Sequence, residues 1–392
     1  MFCPICKTEH IGTKLTCPLY NKTFSMQTTR SMLNFEAFSS PDIFVGRYQY
    51  PNIYSGILSP INLETNPTVL SFPEEWFKNK LSIDSVLKNR AKLVYTRFKV
   101  KQTERLKTTM QELTVAKKPC SAEFNLDKTP SFQATDSFNT GVIANTAPLK
   151  TIRLTENPSV PKKVEKAISD TDLKAADAIM SLYKTSLSQS YLINVLSAGL
   201  LGLGTKRKLV PSRWSTTAVD DITSSTLLKE VKTNPILDHF AVFTGEYVGN
   251  TYVILLFPST WSFEVLELKL GTNHVWRDYE SFFPRKKYAN SVTGAYYANR
   301  VAVTEYLQKK KMQASALVLR EIDDRYYAPL GVGILRELTR SLFKQPPKIF
   351  VTKQEAFNYV QTLLRVPLQT FTKMSQLIKE KQTQRPLSSF FG

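Results

Sequence analysis

The 392 residues are enough for one large domain or two to three ordinary ones, and an apolar share of 42 % suffices to build cores of that size. With Gly 14 and Pro 21, collagen-like and low-complexity chains are excluded. The 52 Lys and Arg against 33 Asp and Glu leave a net charge of +19, which points to a polyanion such as DNA as partner; adaptation of a whole proteome to a hot or basic environment would leave the same excess.

The charge is uneven, however. Between Lys88 and Lys118 stand ten Lys or Arg against two Glu, and Lys206-Arg207-Lys208, Arg285-Lys286-Lys287 and Lys309-Lys310-Lys311 are further clusters. The longest apolar run, residues 191–204, is too short for a membrane span and carries Asn194 and Ser197, so no membrane is expected as partner. Four Cys and no secretory layout at the first residues predict a reducing, cytoplasmic setting, at the nucleoid if DNA is the partner.

Cys3, Cys6, His10 and Cys17 open the chain with the spacing Cys-x2-Cys-x3-His-x6-Cys. Three thiolates and one imidazole satisfy a tetrahedral, closed and therefore structural zinc site, and ligation would supply most of the folding energy of so small a module, residues 1–24. A redox role for Cys-x-x-Cys would need a thioredoxin-like strand before it, and none precedes it. Cys120 is a remote alternative ligand; otherwise it is a free thiol.

Residues 39–60 read as a strand, a turn and a second extended piece bounded by prolines. Arg47, Tyr48 and Tyr50 place a cation beside aromatic rings, which suits phosphate contact and base stacking; a Tyr-lined packing layer with Arg47 tied to a carboxylate is the structural alternative. Ile83, Val86, Leu87, Val94 and Phe98 recur at helical spacing and predict one helix over 82–113. Its exposed residues would include Lys88, Lys92 and Lys99, either a solvated face or a nucleic-acid contact. Ser, Thr, Pro and Lys dominate 116–145, which reads as a loop.

From residue 151 the pattern becomes denser. Ser169-Asp170-Thr171-Asp172 is a capping run, predicting a helix over 172–184, and Ser188 starts another that ends at Gly199. Arg213 and Trp214 follow. Residues 239–247 and 251–257 flank Val248-Gly249-Asn250 as a hairpin, 261–270 is a third strand, and 314–321 a later one. Helices are predicted over 294–310, 330–343 and 353–364. The fold class is therefore α+β: a mixed core with an antiparallel portion at 238–270 and several helices. Its segments are 25–150, 151–372 and a flexible tail, 373–392.

Asp220, Asp221, Glu246 and Glu267, with Lys269 in a Glu-x-Lys tripeptide, are the carboxylates and lysine that a Mg²⁺- or Mn²⁺-dependent nuclease would use to hold metal and orient water. On a half-buried strand Glu267 and Lys269 share a face, and pairing with each other is the simpler reading. His239 and His274 read as structural. No Walker, Rossmann or helicase motif is present.

The last residues, Gln384-Arg385-Pro386-Leu387-Ser388-Ser389-Phe390-Phe391, have the form Gln-x-x-aliphatic-x-x-aromatic-aromatic. This resembles the PCNA-interacting box by which replication and repair proteins hang from the sliding clamp. One turn of 3₁₀ helix puts Leu387 and Phe390 on one side, Phe391 joins them, and Gln384 keeps a donor and an acceptor for a polar notch.

Several blocks together resemble the archaeal Nre family of DNA repair proteins. They are Phe44-Val45-Gly46-Arg47-Tyr48 with Tyr50-Pro51, Glu156-Asn157-Pro158, Ser169 to Ala175, Leu196 to Gly202, Lys208 to Asp221, Gly245-Glu246-Tyr247, Tyr288-Ala289, Gly294 with Tyr296-Tyr297, and Pro329-Leu330-Gly331-Val332. The resemblance implies a protein of the archaeal DNA damage response tethered to the sliding clamp, and it supplies no settled reaction. The family's N-terminal motif is usually four-Cys, whereas His10 stands among three Cys here. A clamp-tethered DNA-binding factor, a clamp-tethered nuclease and an RNA-binding protein are the readings that compete.

Overall fold

The computed structural model describes residues 32–39, 42–61, 67–100, 103–131 and 143–383. Cys3, Cys6, His10 and Cys17 at one end and Gln384, Leu387, Phe390 and Phe391 at the other lie outside the described residues. The chain divides into two compact units, Met1–Ile222 with Tyr327–Ile334, and Thr223–Tyr326 with Leu335–Gly392. The class is α+β, as expected.

The first unit is built on a six-stranded sheet of β1 (Asn34–Ser39), β2 (Ile43–Val45), β3 (Tyr54–Pro60), β4 (Leu93–Lys99), β5 (Cys120–Leu126) and β6 (Asn145–Leu154), in the order β1-β5-β6-β4-β3-β2. Every pair is antiparallel except β4 with β6. The helices of this unit are α1 (Pro67–Ser71), α2 (Pro73–Lys78), α3 (Ile83–Ala91), α4 (Glu104–Thr114), α5 (Lys162–Ser169), α6 (Ala175–Tyr183), α7 (Gln189–Ser197) and the first half of α8 (Ser212–Val231). Leu106, Met110 and Leu113 of α4 close one core against the sheet, while Val164, Ile179, Leu182, Leu192 and Val195 form a second one between helices.

Residues 82–113 are not one helix. α3 ends at Ala91, β4 follows, and α4 begins at Glu104. The physical reason is a degeneracy of spacing: Val94 and Phe98 are four apart, which keeps them on one face of a helix and equally on one face of a strand. Leu-Val-Tyr-Thr-Arg-Phe-Lys is rich in β-branched and aromatic residues, and the strand wins. Residues 120–126 are not a loop either. Cys120, Ala122, Phe124 and Leu126 point inward in strict alternation, and β5 lies between β1 and β6. β6 runs across position 150, so residues 151–222 belong to the first unit.

Two helix starts obey local chemistry. Ser188 accepts from Tyr191 N as the cap of α7, whereas Asp170 accepts from Asp172 N and Leu173 N and thereby forms a turn that delays α6 until Ala175. Ala176, in the first turn of α6, is exposed.

The second unit has its own sheet: β7 (Phe240–Tyr247), β8 (Asn250–Phe257), β9 (Ser262–Lys269), β10 (Val275–Glu280), β11 (Ser315–Ile322) and β12 (Lys348–Phe350), ordered β10-β9-β11-β8-β7-β12. Helices α9 (Thr293–Lys310), α10 (Gly333–Leu342), α11 (Lys353–Leu363), α12 (Leu368–Thr372) and α13 (Gln376–Thr383) accompany it, α10 beginning at the end of the first unit. The predicted β7–β8 hairpin forms, with Val248 and Gly249 both at positive φ, as a two-residue hairpin turn requires. The third strand does not continue the meander. β11 inserts between β8 and β9, antiparallel to the former and parallel to the latter, and α9 lies within the connection that parallel pairing needs. Among the described residues no helix is long and apolar enough to cross a membrane.

Candidate nucleic-acid interface

In the first unit the turn between β2 and β3 closes on its own backbone. Gly46 N donates to Tyr54 O at 2.9 Å, and Asn52 N to Gln49 O at 2.7 Å. A side chain at position 46 would crowd Tyr54 O, since a Cβ there would lie 3.1 Å from it. The turn is tied to the start of α8 by Val45 N, which donates to Ser212 Oγ at 2.9 Å, and by Tyr50 Oη, which donates to Leu209 O at 3.4 Å.

This framework holds aromatic rings in water. Tyr48 is 80 % exposed, Trp214 47 % and Tyr54 41 %, and Tyr50 is similarly open. The guanidinium of Arg47 sits 5.4 Å over the Tyr48 ring, and the Tyr50 and Trp214 rings are 5.4 Å apart. Tyr54 lies under two cations, Arg97 at 5.0 Å and Lys99 at 5.8 Å. The cross-strand register explains the last group: Tyr54 faces Lys99 directly, and Arg97, two residues away on β4, shares the face of Lys99. Arg47, Arg97, Lys99 and Arg213 have no ion-pair partner among the described residues. Each cation over an exposed ring is worth about 0.5–1 kcal/mol, too little to account for four open rings. A surface of flat rings interleaved with unneutralised cations is what stacked bases and phosphates need.

The structure sorts the sequence candidates. Arg47, Tyr48, Lys99 and Arg213 belong to this turn and its two neighbours, β4 and α8. Lys88 and Lys92 are exposed on α3 and just after it, at the opposite end of β4 from Lys99, about 20 Å away at the rise of a strand. Arg90, counted within the basic run, is a core group. It stacks 4.9 Å over Trp76, donates to Ser71 O at 3.1 Å, and faces Asp42 at 3.8 Å; burial pushes its pKa down and that of Asp42 up. Cys120 is also a core group: it is buried in β5, donates to Glu156 O, and burial raises its pKa to about 11.

The acidic candidates are committed elsewhere. Asp220 is buried on α8, where it accepts from Gln189 Nε2 at 2.8 Å, and Asp221 is the next residue of the same helix. Both belong to the first unit; Glu246, Glu267 and Lys269 belong to the second. Glu246 pairs with Arg325 at 2.6 Å and Arg365 at 3.4 Å. Glu267 pairs not with Lys269 but with Arg320, its register neighbour on β11, at 2.7 Å. Lys269 is 3.9 Å from Asp324. Among the described residues there is no group of three or more His, Cys, Asp or Glu that could hold a metal ion. His239 bonds Asp238 at 2.6 Å and His274 packs edge-on to Trp276.

Residues 12–276 match the family model described as Archaeal Nre, N-terminal, and residues 280–390 match the one described as Archaeal Nre, C-terminal. The chain belongs to the archaeal Nre family. Among its relatives is the DNA repair protein NreA of Haloferax volcanii, 34 % identical over 364 residues, which cover 88 % of this chain and 86 % of that one. The DNA repair protein NreA of Archaeoglobus fulgidus is 34 % identical over 402 residues, covering 100 % and 98 %, and NreB of the same organism is 32 % identical over 408 residues, covering both chains entirely. No solved structure matches the chain.

Within this Nre chain, sequence reasoning missed Tyr54, Arg97 and Trp214 as parts of one surface. Tyr54 and Arg97 are brought together only by the β3–β4 register, and Trp214 reaches Tyr50 only through the tie of α8 to β2. The available signal was the pair Arg97 and Lys99, two apart in a segment of alternating character, which places both cations on one face of a strand.

Proposed function

We propose that this chain is a DNA repair factor that binds DNA through the β2–β3 turn of its first unit and is held at a sliding clamp of the PCNA type by its C-terminal box. The observation that carries the DNA-binding half is the set of open rings, Tyr48, Tyr50, Tyr54 and Trp214, interleaved with Arg47, Arg97, Lys99 and Arg213. Relatives of this length and similarity carry the name DNA repair protein, which supports the role. Fluorescence anisotropy with labelled oligonucleotides at rising salt tests it. Affinity should fall steeply, because each neutralised phosphate releases counterions, and a flat response from low to physiological salt would refute the reading.

The clamp half rests on the form of Gln384, Leu387, Phe390 and Phe391. Leu and two Phe side chains in one apolar pocket contribute a few kcal/mol at roughly 1.5–3 each, before ordering costs, and Pro386 limits those costs. An affinity in the micromolar range, on the order of −8 kcal/mol, is expected. Calorimetry of a peptide covering the last dozen or so residues against the cognate clamp is decisive: no heat of binding refutes the tether. Zinc belongs to the same proposal. Cys3, Cys6, Cys17 and His10 supply three thiolates and an imidazole, the donor set of a closed structural site, and elemental analysis of chelator-free protein should return one zinc per chain.

A further inference from the structure

In the second unit the connection from β10 to α9 begins Ser281-Phe282-Phe283-Pro284-Arg285-Lys286-Lys287-Tyr288, with no acidic residue in it. Phe283 is 74 % exposed, and Phe282 packs edge-on to it with ring centroids 5.7 Å apart. The loop is held from inside. Arg285 turns inward, donating to Tyr279 O at 2.6 Å, to Asp278 Oδ1 at 3.0 Å and to Lys287 O at 3.2 Å, with its guanidinium 5.2 Å over Tyr296. Asp278 Oδ2 accepts from Ser291 N and Val292 N and so fixes the far end of the connection. Lys232 donates to Phe282 O and lies 4.9 Å over the Phe282 ring. Phe283 is therefore presented by a fastened loop, and binding there would not have to order the backbone first.

We infer that this loop is a second DNA contact, distinct from the turn of the first unit, in which Phe283 stacks on an unpaired base while Lys286 and Lys287 meet the flanking phosphates. Both lysines are exposed and have no ion-pair partner among the described residues. Chemistry selects the occupant. An apolar ring alone suits many partners, but cores of protein interfaces are poor in Lys, whereas a ring followed by adjacent cations repeats the alternation of base and phosphate along a single strand. A base still paired in a duplex has no free face for Phe283, so the loop should favour DNA with unpaired bases.

The inference rests on the reading of the chain as a DNA-binding protein, and the experiment separates the two. Full-length wild type, Phe283→Ala and Lys286→Ala/Lys287→Ala are titrated by anisotropy against one oligonucleotide as a single strand and as a duplex. Phe283→Ala should weaken single-strand binding about tenfold and leave duplex binding within twofold, since a stacked base contributes on that scale. The double lysine variant should lower the single-strand salt slope by about 1.4. With a single strand carrying 5-iododeoxyuridine, irradiation should crosslink Phe283, read by peptide mass mapping. Unchanged melting temperatures check the folds. Wild type that binds no DNA overturns both readings. Wild type that binds while Phe283→Ala matches it on the single strand, or loses equally on both substrates, overturns this inference alone. So does Phe283-dependent binding to anionic phospholipid vesicles when binding to oligonucleotides does not depend on Phe283.

Discussion

The indole of Trp214, near the start of α8, lies 5.4 Å from the ring of Tyr50, inclined 55° to it, and both rings remain open to water. Two residues distant in sequence thereby make one aromatic shelf, and the hydrogen bonds Val45 N to Ser212 Oγ and Tyr50 Oη to Leu209 O hold its two halves together. A shelf that carries a stacked base should lose about 1–3 kcal/mol of binding when a ring is removed. Trp214→Ala is expected to weaken DNA binding roughly tenfold with the fold intact. Tyr50→Ala should cost less in that background than in wild type, since contacting residues couple. Additive losses in this double-mutant cycle would show that the rings act separately.

The cations give a comparison between two faces. Arg97→Ala/Lys99→Ala removes the pair above Tyr54, while Lys88→Ala/Lys92→Ala removes an equal charge at the other end of β4. On duplex DNA the first variant should lower the slope of log affinity against log salt by about 1.8, and the second should change it much less. The reverse ranking would move the contact to α3.

Glu267 was legible as a candidate metal ligand, but its carboxylate is buried against Arg320, which also donates to Asn250. Leaving one member of such a pair without the other costs about 3–5 kcal/mol, whereas apolar replacement of both costs far less. Glu267→Ala should therefore reduce unfolding free energy in urea by that amount, and Glu267→Ala/Arg320→Met should recover much of it. A Glu267→Ala protein of wild-type stability would return the residue to the list of functional candidates.

Asp323 predicts an acid-sensitive element in the second unit. Its bond with Arg325, then that with Arg365, hold its pKa at about 2, below the ordinary value of roughly 3.9. The stabilisation is thus complete above about pH 4 and disappears as the pH falls towards 2. Asp323→Asn should lower the melting temperature at neutral pH, flatten its decline between about pH 4 and 2, and converge with wild type at the acid end. Parallel curves over that window would mean that the pair contributes nothing to stability.

What the sequence by itself determined is what short-range geometry encodes. The Val248-Gly249 hairpin, the Ser188 cap and the helices near 294–310 and 353–364 depend on residues within one turn or one strand length of each other, so their chemistry is written locally. The family blocks were likewise readable without coordinates. Tertiary structure alone decided where local signals were degenerate or partners distant. A spacing of four residues does not separate helix from strand at Val94 and Phe98, and β pairing within the sheet resolved it. The strand face of Glu267 could be read, but its partner could not, because Arg320 arrives through a parallel pairing set by the insertion of β11. The same holds for the candidate interface. Tyr54 meets Arg97 and Lys99 through cross-strand register, and Trp214 meets Tyr50 through the docking of α8, long-range contacts to which no periodicity in the chain refers.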